Sequence, residues 1–292
     1  MLRLFRSLRR GRRLLRFKKL RMGFTLLKSA FKAIIFEHQR YFWFCLTLAL
    51  IQIVQALLTS VFDPTLRVQQ MLSEVLAGQS YIPLLFARRR ACPLGFVPTI
   101  MQSFVLFCQT LLTLFVTTAT VHYSAARLRT KAPSVRASFR VSLQKHKILS
   151  AWALLELMLS LLFFSIGLVG DILQVLWQVS TALSVQVITL GHADLVAILK
   201  RSFAYFKRML GSVISIDILI DLLIVAASII TYFIYSLLTG GAAHWLTALP
   251  LEQFLNNIWV DVVIFYLLSA LVIAETIALT GVYILAFVEE RE

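Results

Sequence analysis

Five long apolar runs dominate this chain: Tyr41–Phe62, Phe96–Val121, Ile148–Leu190, Ser212–Leu238 and Trp259–Val288. None of them contains a Lys or Arg. About 20 apolar residues in a helix cross the roughly 30 Å hydrocarbon of a bilayer, so every run is long enough to span it. The third, 43 residues long, is too long for a single crossing. Gly167, Gly170 and Asp171 near its middle supply turn chemistry and divide it. The expected architecture is all-α, a polytopic transmembrane helical bundle. Its six spans cover about 41–62, 96–121, 148–169, 172–190, 212–238 and 259–288, after a basic segment 1–40. Membrane β-strands do not fit, because they alternate apolar and polar residues over about ten positions. Composition agrees: 59% of residues are hydrophobic and 15% charged, against about 45–50% and a quarter in soluble domains. A disordered chain, a disulfide-rich secreted domain and a soluble enzyme are thereby excluded.

Charge sets the expected orientation. The chain carries 29 Lys and Arg against 14 Asp and Glu, a net charge of +15. Thirteen of the basic residues lie in the first 40 positions, seven in His122–Lys147 and four in Gly191–Gly211. The Asp63–Gly95 loop holds four, three of them the run Arg88-Arg89-Arg90, and Thr239–Ile258 holds none. With both termini cytoplasmic, 25 basic residues face the cytoplasm and four face outward, a strong positive-inside asymmetry. Arg88–Arg90 opposes it, and reads as a run at the interface on lipid phosphates. The expected location is the cytoplasmic membrane. The mitochondrial inner membrane is the alternative, because Met1–Arg21 has ten basic residues and no acid. Such a segment suits either anionic lipid or a presequence. Nucleic acid is not an expected partner, since no base-stacking module accompanies the charge.

A short pattern precedes the first, third and fifth spans: Lys28-Ser29-Ala30-Phe31, Arg136-Ala137-Ser138-Phe139 and Lys200-Arg201-Ser202-Phe203. Each reads basic, any, small, Phe, and each Phe lies nine or ten residues before its span. Leu199, Phe203, Phe206 and Leu210 share one helical face, as do Phe24, Leu27, Phe31 and Ile34, and Val135, Phe139 and Leu143. Amphipathic helices lying in the cytoplasmic interface are expected, with rings in the acyl region and cations among headgroups. Lys28, Lys32, Arg136, Arg140, Lys200, Arg201, Lys207 and Arg208 are the candidate headgroup contacts. The chain then consists of three units, each an interfacial helix followed by a two-span hairpin.

These segments carry a resemblance. Leu26–Lys32, Lys147–Leu155 and Ala197–Gly211 resemble a family of uncharacterised prokaryotic six-span integral membrane proteins. That family is similar in plan to the membrane domain attached to some glycerophosphodiester phosphodiesterases. The likeness covers roughly residues 22–287 through short motifs, and departs from the family in the basic N-terminus and the Arg88–Arg90 loop. It implies a fold and a membrane, and no activity.

Five carboxylates fall inside the expected spans: Glu156, Asp217, Asp221, Asp261 and Glu275. Each costs about 2.5–3.5 kcal/mol or more at mid-membrane if ionised. Asp217 and Asp221 are four apart and share a helical face, where two negative charges repel. Glu156, Asp221 and Glu275 fall roughly 12–20 Å deep at about 1.5 Å per residue. Glu156, Asp217, Asp221 and Glu275 are therefore candidates for one intramembrane proton or cation site. The alternative is that they bond to Ser, Thr and Gln of neighbouring helices, among them Gln52, Gln55, Gln174, Gln178 and Gln186, and serve packing. Asp261 is expected near the outer interface.

No catalytic motif stands out. The chain lacks a phosphate-binding Gly-Lys loop, a Gly-x-Ser-x-Gly elbow and a dinucleotide fingerprint. Its five histidines are scattered without metal-ligand spacing, and Cys45, Cys92 and Cys108 suit no disulfide framework. No catalytic residue, metal or cofactor is expected. The expected function is non-catalytic organisation of anionic lipid or of partner subunits, and a homo- or hetero-oligomer fits it. The alternative is a small transporter or channel for protons, cations or a lipid-like substrate.

Overall fold

The computed structural model describes residues 20–62, 100–128, 134–166, 168–191, 194–239 and 258–289. Among them every regular element is a helix and none is a strand. In chain order these are α1 (20–36), α2 (His38–Phe62), α3 (Ile100–Leu128), α4 (Val135–Gln144), α5 (His146–Ser165), α6 (Leu168–Thr181), α7 (Ser184–Leu190), α8 (Leu195–Thr239) and α9 (Ile258–Glu289). The first 19 residues of the basic segment, the Arg88–Arg90 run, Cys92 and the loop 240–257 lie outside the described residues, as does the side chain of Asp261.

Five described segments are long and apolar enough to cross a membrane: Ser103–Leu128, His146–Phe163, Ile172–Leu190, Leu195–Ala227 and Val262–Phe287. The chain is membrane-embedded. The bundle fits that solvent. Its outward faces carry large apolar side chains, including Trp43, Phe104, Met158 and Leu222, each more than half exposed. Its inward faces carry Gln52, Thr118, Thr120, Ser269 and Thr280. A helix in lipid has no hydrophobic reason to turn apolar groups inward, whereas polar groups gain by meeting inside.

A divide in the third apolar run is present but lies earlier than the expected 169/172 boundary: α5 ends at Ser165 and α6 begins at Leu168, so Gly170 and Asp171 fall inside α6. The span after it departs from expectation. It breaks at Ala182–Leu183 into α6 and a seven-residue α7.

The three units are visible in the backbone. The helix is interrupted six residues after each repeat Phe: at Glu37, at Lys145 and at Met209. Lys145 (φ −96°, ψ 12°) and Met209 (φ −107°, ψ 17°) adopt nearly the same conformation, in the sparsely populated bridge region. Matching positions behave alike. The small residue before each Phe (Ala30, Ser138, Ser202) is buried, and the basic residue three before it (Lys28, Arg136, Lys200) is exposed. Thirteen residues after each Phe stand Phe44, Trp152 and Ile216, all fully buried. Each unit is thus an arm, an elbow and a hairpin. In the third unit arm and span form the continuous helix α8, kinked at Met209, in place of two separate helices.

The hairpins pack as two rings. The second helices, α3, α7 and α9, touch one another at the centre. The first helices sit outside them in the gaps: α2 between α9 and α3, α5 between α3 and α6, and α8 between α6–α7 and α9. The arms close the ring, each lying on the second helix of the preceding unit. Arm α4 lies on α3, where Ser138 Oγ meets His122 Nδ1 at 3.2 Å. The arm of α8 reaches α6, where Ser202 Oγ donates to Ser180 O at 3.4 Å. Arm α1 lies on the last unit, with Leu26 over Gly281 of α9 and Gly23 against Ser212 and Ser215 of α8. The absence of a side chain at Gly23 permits this approach, since a Cβ there would lie 2.6 Å from Ser212 O.

The arms meet the expectation only in part. The apolar sides of α1 and α4 turn partly into the bundle, while Phe24 and Leu143 stay exposed. Leu27 is buried, Phe31 and Ile34 pack on the core, and Phe139 stacks on Phe44 at 5.4 Å and 24°. Of the three repeat rings only Phe203 is exposed. The underlying helices offer these side chains close-packed partners, and dispersion favours dense protein contacts.

Candidate functional site

One carboxylate group gathers where α8 meets α9. The buried stripe of α8 reads Val213, Ile216, Asp217, Ile220, Asp221, Ile224, a three-and-four spacing that faces the bundle. Asp217 and Asp221 are only 6% and 5% exposed. Glu275, partly buried on α9, interacts electrostatically with both. Both carboxylate oxygens of Asp217 are buried without a hydrogen-bond partner. The packing alternative, in which Gln, Ser or Thr satisfies each carboxylate, therefore does not hold at Asp217. Gln52 is engaged elsewhere, with its Oε1 accepting from Ser269 Oγ at 3.2 Å.

Three of the four candidates come together, and Glu156 does not join them. It sits on α5, and its Oε1 accepts from Trp152 Nε1 at 2.7 Å. Trp152 in turn stacks on Trp177 at 6.2 Å. Among the described residues no three His, Cys, Asp or Glu side chains converge as metal ligands.

The second group of features lies at the end of the bundle that holds the elbows. All eight candidate headgroup residues, Lys28, Lys32, Arg136, Arg140, Lys200, Arg201, Lys207 and Arg208, are exposed. Every described Lys and Arg lies on an arm, at an elbow or at a helix end beside one. Ser134 caps α4 by accepting from Ala137 N at 3.0 Å, which starts the second arm at the right place.

Two contacts here were not foreseen, and each ties an elbow to the second helix of its own unit. Glu37 at the first elbow pairs with Arg127 at the end of α3, its Oε1 accepting from Nη2 at 2.8 Å and from Nε at 3.2 Å. Lys145 at the second elbow reaches the end of α7. Its ammonium donates to Ile188 O, to Thr189 O at 2.7 Å and to Gly191 O at 3.1 Å. A cation on C-terminal carbonyls opposes the negative end of the helix dipole. Burial holds this ammonium below the usual lysine pKa. The signal for Lys145 was its offset of six from Phe139, invisible until the other two elbows could be aligned with it.

At the third elbow a cleft of about 340 Å³ opens between the end of α7, the arm of α8 and the end of α9. Leu190, Gly191, Arg201, Tyr205, Tyr283 and Phe287 line it together with Ala204. Tyr205 meets Tyr283 edge-on at 5.1 Å, and Tyr283 stacks on Phe287 at 6.5 Å.

No protein-family model matches the chain, and no curated protein and no solved structure matches it.

Proposed function

We propose that the chain is a six-span membrane protein that performs no catalysis and organises anionic lipid, or a partner subunit, against the cytoplasmic end of its bundle. One observation carries this reading: eight exposed cations stand at one end, on arms held by packing, below a belt of bare hydrocarbon side chains. In this reading α2 supplies the sixth crossing, and the resemblance to six-span membrane proteins points to the same count. The cationic end faces the cytoplasm by the positive-inside rule, in a cell membrane or, alternatively, a mitochondrial inner membrane. A basic residue near an anionic leaflet contributes about 1 kcal/mol, so eight of them favour anionic neighbours strongly. Protein extracted from vesicles of equal phosphatidylglycerol and phosphatidylcholine retains an excess of phosphatidylglycerol. Changing Lys28, Lys32, Arg136 and Arg140 together to Gln removes most of that excess. An unchanged lipid ratio in the variant overturns the reading.

A second reading, a small transporter or channel for protons, cations or a lipid-like substrate, rests on Asp217. A carboxylate with two unpartnered oxygens, beside two more carboxylates and with no Lys or Arg in the spans, needs a proton or cation to be tolerated in hydrocarbon. Asp217→Leu removes this unsatisfied group and raises stability by about 1–3 kcal/mol, read by thermal unfolding in detergent. Under the second reading Asp217→Asn also abolishes pH-driven flux in proteoliposomes. A wild-type protein that passes no such flux discards it.

A further inference from the structure

We infer that the cleft at the third elbow is a binding site for one glycerophospholipid. Its phosphodiester lies on Arg201, and its glycerol and first methylenes lie along Tyr205, Tyr283 and Phe287. The inference rests on the membrane reading above and assigns it a specific site. Two cations lie at Gly191, which lines the cleft, and their states differ. Lys145 has three N–H donors, and all three are engaged by carbonyl oxygens. Arg201 has five donors and makes no ion pair among the described residues. Its Nη1 would lie 3.6 Å from a Cβ at Gly191, so the guanidinium stands beside the Gly191 backbone that lines the cleft. Among the described residues its guanidinium makes no hydrogen bond either, which leaves the fork for an external anion.

The walls argue for a lipid in place of a soluble phosphate ester. Three aromatic rings and Leu190 share the lining with Arg201. Aromatic rings of this kind favour the headgroup level of a bilayer. Lys200, Lys207 and Arg208 stand exposed on the same arm and add positive potential. The volume lies within the roughly 300–1,000 Å³ of small-molecule sites. That suits a headgroup with its glycerol and is too small for two whole acyl chains, which would leave the cleft into the bilayer.

The test is a count of tightly held lipid by native mass spectrometry of the full-length protein after detergent delipidation. Phosphatidylglycerol, phosphatidylcholine and inorganic phosphate are titrated in separate arms. Wild-type protein binds one phosphatidylglycerol more tightly than any further copy. Arg201→Gln removes the anchor, and Ala204→Trp fills the cleft without touching a charge. Each weakens that first event at least tenfold, while Lys147→Gln, a loss of exposed charge elsewhere, leaves it within twofold. Matching size-exclusion profiles show that the variants fold. First-copy binding that is unchanged in Ala204→Trp overturns the site. Inorganic phosphate bound as tightly as phosphatidylglycerol overturns the lipid as its occupant. The bulk preference for anionic lipid depends on the first two arms and is read separately. Its persistence in Ala204→Trp alongside unchanged first-copy binding means that the cleft proposal fails while the wider reading stands.

Discussion

Gly170→Ala breaks the hairpin between α5 and α6. A Cβ at this position would lie 1.6 Å from the carbonyl oxygen of Phe163 and 2.5 Å from its carbonyl carbon. Real atoms do not approach so closely, and the obstacle is backbone, which cannot swing aside as a side chain does. Inserting a methyl group into a tight core costs about 1–3 kcal/mol when side chains can adjust. Here the cost is at least about 3 kcal/mol, a fall of roughly 5 °C or more in Tm for a chain of this size. Gly281→Ala is the matched control. Its Cβ would meet only the flexible tip of Leu26, at 3.0 Å, and it lowers Tm by no more than about 3 °C. Thermal unfolding of both variants in one detergent checks the prediction. Equal Tm values would mean that the α5–α6 turn has slack to absorb a side chain.

Lys145→Met is the second large effect. The substitution keeps a long apolar stem and removes the ammonium that three carbonyls share. A hydrogen bond to a charged group contributes about 1.5–3 kcal/mol, and a half-buried carbonyl left without a donor adds to the loss. The three bonds act on one helix end and are not additive, so the expected cost is about 3 kcal/mol in total. The damage is local. Hydrogen exchange accelerates in α7 and at the start of α8, while α2 keeps its protection. Lys145→Arg restores part of the stability at most, because a planar guanidinium cannot direct donors at three convergent oxygens as an ammonium can. A Lys145→Met protein as stable as wild type would show that water caps α7 equally well.

Much of this fold was legible in the residues. Apolar runs placed α2, α5 and α9 to within a few positions, because hydrocarbon sets the length of a crossing; α3 runs seven residues past its expected end, and α8 takes in the arm before its span. The divide near Gly167 was legible because glycine is the residue that lets α6 pass so close to Phe163. The repeat was legible at its Phe and its small neighbour, where burial demands one kind of side chain. It was illegible at the elbows, where Glu37, Lys145 and Met209 share a backbone role and no chemistry. The break at Ala182–Leu183 carried no signal either, having neither glycine nor proline. Among the carboxylates, spacing put Asp217 and Asp221 on one face, and the α8–α9 hairpin brought Glu275 to them. Depth alone misplaced Glu156. Distance along a helix fixes height in the membrane and says nothing of which neighbours a helix turns toward.

The clasp of α1 on the final hairpin bears on how the chain is made. Leu26 leaves the ribosome early, and its seat at Gly281 is synthesised some 250 residues later. At a translation rate of roughly 5–20 residues per second this amounts to tens of seconds or less in which the first arm has no berth. During that interval its exposed Lys28 and Lys32 and its apolar face give it the membrane surface as a waiting place. Assembly is therefore sealed by a segment made before any of the hairpins, and a nascent chain halted before α9 would leave that arm unmoored, however well its earlier hairpins had inserted.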